Sequence, residues 1–247
     1  MQNIDLNADL GEGANNDEAL LDIVSSASIA CGGHAGDENI MRKTLRLAKQ
    51  RGVICGAHPG FIDKENFGRK RLNLPFSEIQ NQIKIQLNSI QKIADAEGVQ
   101  LRYVKLHGAL ANMTAEDFGL AKAAFETVKK HDAELAILAL DNSAQVRAAK
   151  TLGQDIILEA YADRAYDENG LLVSRTIEGA VINDENKVVA QCLRLAQQGE
   201  IICLNGSVIK SQATSICLHG DNVSAIKLAQ KIKIALQKAG IKIHSSL

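Results

Sequence analysis

Residues 4–13 read Ile4-Asp5-Leu6-Asn7-Ala8-Asp9-Leu10-Gly11-Glu12-Gly13. Apolar and polar residues alternate along this stretch, which places Asp5, Asn7 and Asp9 on one face of a strand. Strand interiors are depleted in Asp, so both aspartates read as functional residues, and Asn7 as either a loop cap or a site residue. The glycines around Glu12 form a tight turn that can aim its carboxylate at a cavity. The competing reading of Glu12 is an exposed loop acid.

Five further apolar runs end in a similar polar tip. They are Cys31-Gly-Gly-His-Ala-Gly-Asp37, Gly56-Ala-His-Pro-Gly60, Lys105-Leu-His-Gly108, Tyr161-Ala-Asp-Arg164 and Cys217-Leu-His-Gly-Asp221. Strand-length apolar runs sit at 4–8, 27–31, 53–57, 101–106, 135–140, 156–160, 201–204 and 215–218. Segments with helical periodicity lie between most of them, at 17–24, 39–50, 77–97, 115–131, 143–152, 185–197 and 222–239. Ser77, Thr114 and Asp221 are the expected helix starts. Gly52, Gly98, Gly153, Gly199 and Gly240 are the expected helix ends. Near-continuous apolar strands alternating with helices predict a parallel sheet covered by helices. No linker or low-complexity tract interrupts the pattern. The expected architecture is one β/α barrel over residues 1–247, with seven or eight parallel strands and its chemistry at their carboxyl ends.

Composition narrows the function. Hydrophobic residues make up 46% of the 247 residues, enough for a sizeable core, whereas aromatics are only 3% and Trp is absent. A net charge of -1 gives no field for nucleic acid or an anionic membrane. No apolar stretch approaches the roughly 20 residues of a membrane span, and Met1-Gln-Asn-Ile-Asp5 lacks the basic start of a signal peptide. A soluble, cytoplasmic protein is expected. The five cysteines follow no repeating spacing, and those at the ends of apolar runs read as buried free thiols.

His34, His58, His107 and His219 each follow an apolar run, at equivalent strand ends. One such histidine is usually structural; four point to a functional cluster, serving as metal ligands or as general acid and base. No His-Glu-x-x-His or other fixed-spacing metal signature is present, so a divalent metal stays open, with Asp9, His34, His58 and His107 as candidate ligands. His131 and His244 read as exposed. Lys105, inside an apolar strand, needs an anionic partner, either a ligand or one of the aspartates. Arg69, in the loop 60–75, is either solvated or poised over the mouth, and Asp163-Arg164 is either a self-neutralising pair or an anion clamp. No P-loop, dinucleotide fingerprint or nucleophile elbow is present.

The tips, taken in order, resemble the LamB/YcsF family, the A component of the prokaryotic 5-oxoprolinase complex. The matching stretches are DLNADLGEG at 5–13, IACGGHAGD at 29–37, GAHPG at 56–60, FGRK at 67–70, KLHGAL at 105–110, EAYADRAY at 159–166, LLVSR at 171–175, GAVI at 179–182 and ICLHGDN at 216–222. The resemblance implies a modified β/α barrel similar to metal-dependent deacetylases and glycoside hydrolases. It implies ATP-dependent hydrolysis of 5-oxo-L-proline to L-glutamate together with separate B and C subunits, with ATP engaged through the complex. The expected catalytic set is Asp5, Asn7, Asp9, His34, His58, Lys105 and His107. The expected substrate contacts are Glu12, Arg69, Asp163, Arg164, His219 and Asp221. The sequence departs from the family pattern at Gly33, Leu106 and Ala111, where aromatic or proline residues are usual, and in the stretch after Gly13. Two other readings compete: a stand-alone metal-dependent carbohydrate deacetylase, and a non-catalytic subunit that holds ligand for a partner.

Overall fold

The computed structural model describes residues 3–14, 16–218 and 223–247. In chain order, β1 (Asn3–Leu10), α1 (Asp17–Leu21), β2 (Ser26–Ala30), α2 (Glu38–Gln50) and β3 (Ile54–His58) are followed by α3 (Phe76–Glu97), β4 (Leu101–Val104), α4 (Gly108–Glu116) and α5 (Phe118–His131). Then come β5 (Ala136–Leu140), α6 (Ala144–Leu152), β6 (Ile156–Tyr161), α7 (Glu185–Gln198), β7 (Glu200–Ile202), β8 (Val208–Lys210), β9 (Ser215–Leu218), α8 (Val223–Lys238) and β10 (Lys242–Ile243).

Seven parallel strands close into a barrel in the order β1-β2-β3-β4-β5-β6-β9, with β9 returning to β1. Closure leaves no unpaired barrel edge. The strands face two cores, which explains their near-continuous apolar character. Leu6, Ala8 and Leu10 of β1 belong with Ile29, Ala57 and Val104 to the large cluster that packs the helices onto the barrel. A smaller cluster of Tyr103, Ala136, Leu138 and Ile157 is separate from it. The alternate residues of β1, Asp5, Asn7 and Asp9, face inward with that smaller set. Gly56 makes room there: a Cβ on it would stand 2.3 Å from the ring of Tyr103.

The run at 201–204 was expected as a barrel strand and is not one. Its residues 201–202 lie in β7, which pairs antiparallel with β8 in a two-stranded sheet outside the barrel. Ile201 is buried, but Ile202 and Leu204 are 48% and 46% exposed. A strand buried on one face only cannot take a place in a doubly covered barrel. The expected helix starts also shift. Phe76 opens α3 after Pro75 with no side-chain cap at Ser77. Thr114 lies inside α4, bonding back to the Leu110 carbonyl at 2.8 Å, while Asp117 caps α5 through the Leu120 amide. Asp221 lies outside the described residues. The glycine ends hold: Gly52, Gly98, Gly153, Gly199 and Gly240 all take positive φ. Among the described residues no helix is long and apolar enough to cross a membrane.

Candidate active site

The carboxyl ends of β1, β3, β4 and β6 meet below a cavity of about 430 Å³ lined by Asp9, Glu12, Arg69, His107, Tyr161 and Arg164, among others. Beneath it lies a buried charge cluster. Lys105 is 2% exposed, and its Nζ donates to Asp9 Oδ1 at 2.9 Å and Asn7 Oδ1 at 3.2 Å. It also makes an ion pair with Glu159 Oε1 at 2.8 Å. Burial alone would drive the lysine toward neutrality, but the facing carboxylates outweigh it and hold its pKa well above the usual range. Burial likewise works against the Asp9 carboxylate, yet the charges of His58 and Lys105 prevail and keep it well below the usual range. Asp9 is therefore an ionised carboxylate at the cavity floor.

Three histidines and Glu12 stand beside it. Gly11 at φ +74 turns the chain after β1, and the turn brings Glu12 Oε1 within 3.1 Å of His34 Nε2, 3.4 Å of His107 Nδ1 and 4.0 Å of His58 Nε2. The rings of His34 and His107 stack with centroids 3.5 Å apart. His58 Nε2 sits 3.3 Å from Asp9 Oδ2. Backbone carbonyls fix two tautomers, because a carbonyl only accepts. His58 Nδ1 donates to the Lys105 carbonyl at 2.8 Å, and His107 Nε2 donates to the Phe67 carbonyl at 2.9 Å. Phe67 offers that carbonyl from a strained φ of 54°.

Burial opposes protonation of all three rings. For His58 the Asp9 carboxylate overrides it and raises the pKa. His34 is lowered to about 3 by burial and by the charge on His58. His107 falls to about 3, chiefly by burial and by the charge on His58. The arrangement is one protonated histidine next to an ionised aspartate, with two neutral imidazoles alongside.

Glu12, His34, His58 and His107 each offer a ligand atom, all within 4.8 Å of one another, so together they can hold a metal ion. The donor set suits a divalent ion such as zinc. Glu12, expected as a substrate contact, is the carboxylate of this group, whereas Asp9 was only a candidate ligand. Asp9 is committed to Lys105 and His58.

Other expected site residues lie elsewhere. Asp5 is two layers down the barrel, 2% exposed, where its carboxylate accepts hydroxyls from Ser25 at 2.6 Å, Ser26 at 2.8 Å and Ser215. It does not line the cavity at the barrel mouth, because same-face positions along one strand sit at successive depths. Asn7 is fully buried between Ser215 and Lys105. Asp163 does not line the cavity, whereas Arg69 and Arg164 do. His219 and Asp221 lie outside the described residues. Alternation places Glu159 with Tyr161 and Asp163 on the inward face of β6, but Glu159 is absent from the expected catalytic and substrate sets, and it proves to be a partner of Lys105. Sequence reasoning missed Gln86, which grips Gly60 by accepting from its amide at 3.1 Å and donating to its carbonyl at 2.7 Å. No motif marks a lone helical glutamine.

Fold and site define a closed parallel β/α barrel of hydrolase-like type, with carboxylates and histidines gathered at its mouth. The chain belongs to the LamB/YcsF family, whose profile matches residues 4–247. It is similar to a lactam utilization protein from Thermus thermophilus, with 33% identity, a TM-score of 0.91, and coverage of 98% of this chain and 99% of that one. A family 4 carbohydrate esterase from Streptomyces lividans shares the fold at 11% identity and a TM-score of 0.52, covering 98% of this chain and 91% of that one. A GH20 β-N-acetylhexosaminidase from Streptomyces coelicolor does so at 12% identity and a TM-score of 0.55, covering 98% and 65%.

Proposed function

We propose that this chain is the lactam-opening subunit of an ATP-dependent 5-oxoprolinase, converting 5-oxo-L-proline to L-glutamate with separate B and C subunits. The observation that carries the reading is the ionised Asp9 at the cavity floor, held between Lys105 and His58, in a family whose Thermus member is described as a lactam utilization protein. An unstrained five-membered lactam is a poor electrophile. Phosphorylation of its oxygen by ATP, engaged through the complex, makes the ring carbon reactive. Water then adds to that carbon and loses a proton, the C–N bond breaks as nitrogen gains one, and a second water releases the phosphoryl group. Asp9 Oδ2 accepts the proton of the attacking water, and protonated His58, whose Nε2 stands behind the same oxygen, orients the carboxylate. Lys105 fixes the other carboxylate oxygen, so the base stays ionised and oriented. Asn7 and Asp5 stand deeper and support Lys105 and its surroundings.

A second reading, a metal-dependent deacetylase-like hydrolase, is favoured by one observation, the Glu12/His34/His58/His107 group. The residues fit a divalent ion: His58 and His107 have their outer nitrogens spent on carbonyls, and their inner nitrogens converge. Such an ion would act as a Lewis acid toward an amide carbonyl. One experiment separates the readings. Hydrolysis of 5-oxoproline is measured with the chain alone, then with B and C subunits and ATP. Turnover only in the full mixture supports the first. ATP-independent release of acetate from acetylated sugars by the chain alone overturns it in favour of the second.

A further inference from the structure

Arg164 is 5% exposed and lines the cavity. Its guanidinium is fixed by two carbonyls, with Nε donating to Ala180 at 3.2 Å and Nη2 to Val173 at 2.6 Å. No carboxylate of the described residues lies at ion-pair distance from it, and Nη1 has no partner there. A buried cation without a counter-ion is costly. Far from neutralising it, the chain puts a second arginine close by. Arg175 is exposed, lines the same cavity and lowers the pKa of Arg164 by its charge, after burial. Arg69 enters the cavity from the loop after β3, across the ring of strands from β6, held over the Phe67 ring at 4.9 Å. Of the cavity acids, Glu116 pairs with Arg71 and Asp9 with Lys105 and His58, while Glu12 is hydrogen-bonded to the neutral His34 ring. Three arginines thus converge on one space with no carboxylate of their own.

We propose that Arg164, Arg175 and Arg69 form an anion clamp at the barrel mouth that binds the carboxylate of a small carboxylic acid. The identity of that acid as 5-oxoproline rests on the function proposed above; the clamp itself rests on the arginine geometry. The fork of a guanidinium matches a carboxylate in two hydrogen bonds. Arg164 is pre-oriented by its carbonyls, while Arg175 and Arg69, lacking such ties, close over the ligand. In 5-oxoproline the carboxylate and the lactam carbonyl sit on opposite sides of the ring nitrogen. Anchoring the first at the arginines turns the second toward Asp9 on the cavity floor.

The test is equilibrium binding to the full chain, by calorimetry, of 5-oxoproline, of 2-pyrrolidinone (the same lactam without its carboxylate), of glutarate and of inorganic phosphate. Wild type is compared with Arg175→Met and Arg69→Met, both exposed positions whose folding is checked by melting. The expected result is that 5-oxoproline binds about tenfold or more tightly than 2-pyrrolidinone, and that Arg175→Met removes about that factor for 5-oxoproline but leaves 2-pyrrolidinone unchanged. If 5-oxoproline binds equally well to wild type and both variants, the clamp is overturned while the lactam function stands. If neither lactam binds but glutarate does, with loss in Arg175→Met, the clamp stands and the lactam function fails. Arginine-dependent binding of phosphate alone, or no binding of any probe, overturns the clamp.

Discussion

His58 Nε2 lies 2.9 Å from Nδ1 of His107, and each nitrogen is the inner one of a ring whose outer nitrogen donates to a carbonyl. If both rings were neutral, two lone pairs would face each other across that distance. The contact is satisfied only by a proton or by a cation. In the ligand-free chain the proton resides on His58, stabilised by Asp9.

A metal can take the place of that proton. Purified protein, dialysed against zinc and then against metal-free buffer, is expected to retain about one equivalent per chain by elemental analysis, since outer-nitrogen hydrogen bonds orient histidine ligands. His34→Gln and His107→Gln should each lower retention by about tenfold or more. Wild-type protein that retains no metal, or variants that retain it fully, would remove the Glu12 group from consideration as a metal centre.

Asp9→Asn tests the proposed base. The swap keeps the shape and removes the charge that Lys105 and His58 both contact. Turnover of the reconstituted complex with ATP should fall by about a hundredfold or more. Stability should fall by about 1–3 kcal/mol, because Lys105 keeps Glu159 but loses one charged partner. Turnover at the wild-type level would make Asp9 a structural anchor for Lys105.

Much of this arrangement is legible in the sequence because it is local. The barrel strands show as apolar runs, and Lys105 within one of them announces an acidic partner, found in Asp9 and Glu159. What the pattern does not carry is depth and distance. Asp5 shares its face with Asp9 yet sits two layers lower among serines. The run at 201–204 is apolar but half exposed, because it borders a surface hairpin. The helix at 108–116 merges in sequence with the next one, only Asp117 standing between them. Gln86 and the Phe67 carbonyl act on residues 26 and 40 positions away, a relationship no short motif encodes.

The histidine environments set a pH optimum for stability. His34 and His107, lowered to about 3, stay neutral in the fold while the unfolded chain gains protons as pH drops below about 6.5. Their contribution is present above that pH and is lost below it, at most about 2.7 kcal/mol per unit for the two together. His58, raised, works the other way: its contribution is full below about 6.5 and fades as pH climbs through its folded value. Stability in chelator-containing buffer should therefore peak near neutrality and fall toward pH 5. A melting temperature that is flat or rising between pH 6.5 and 5 contradicts these environments.

Phe67 separates backbone strain from ring packing. Its φ of 54° suits glycine, while its ring stands edge-on to His34 at 5.6 Å and His107 at 5.4 Å. Phe67→Ala loses the ring and keeps the strain; Phe67→Gly loses both. The glycine variant should be more stable than the alanine variant by about 1 kcal/mol, measured by urea unfolding. The reverse order would mean that the left-handed conformation is not retained at this position.

Gly33 is the departure from the family pattern that the structure explains most directly. A Cβ at this position would lie 2.3 Å from Gln86 Oε1, and Gln86 is the side chain that grips the Gly60 backbone from both sides. Gly60 in turn packs against the histidines: a Cβ built on it would stand 3.0 Å from the Cβ of His107 and 3.1 Å from Nδ1 of His34. The absence of a side chain at 33 thus makes room for a glutamine that holds the loop behind two site residues. Gly33→Ala should push Gln86 aside and destabilise the fold by about 1–3 kcal/mol. Gln86→Ala should also destabilise, through the lost bonds to Gly60. The double variant should be more stable than the sum of the single losses implies, because the clash exists only when both side chains are present. Additive losses would show that residue 33 and Gln86 do not share this space, and the glycine would need another explanation.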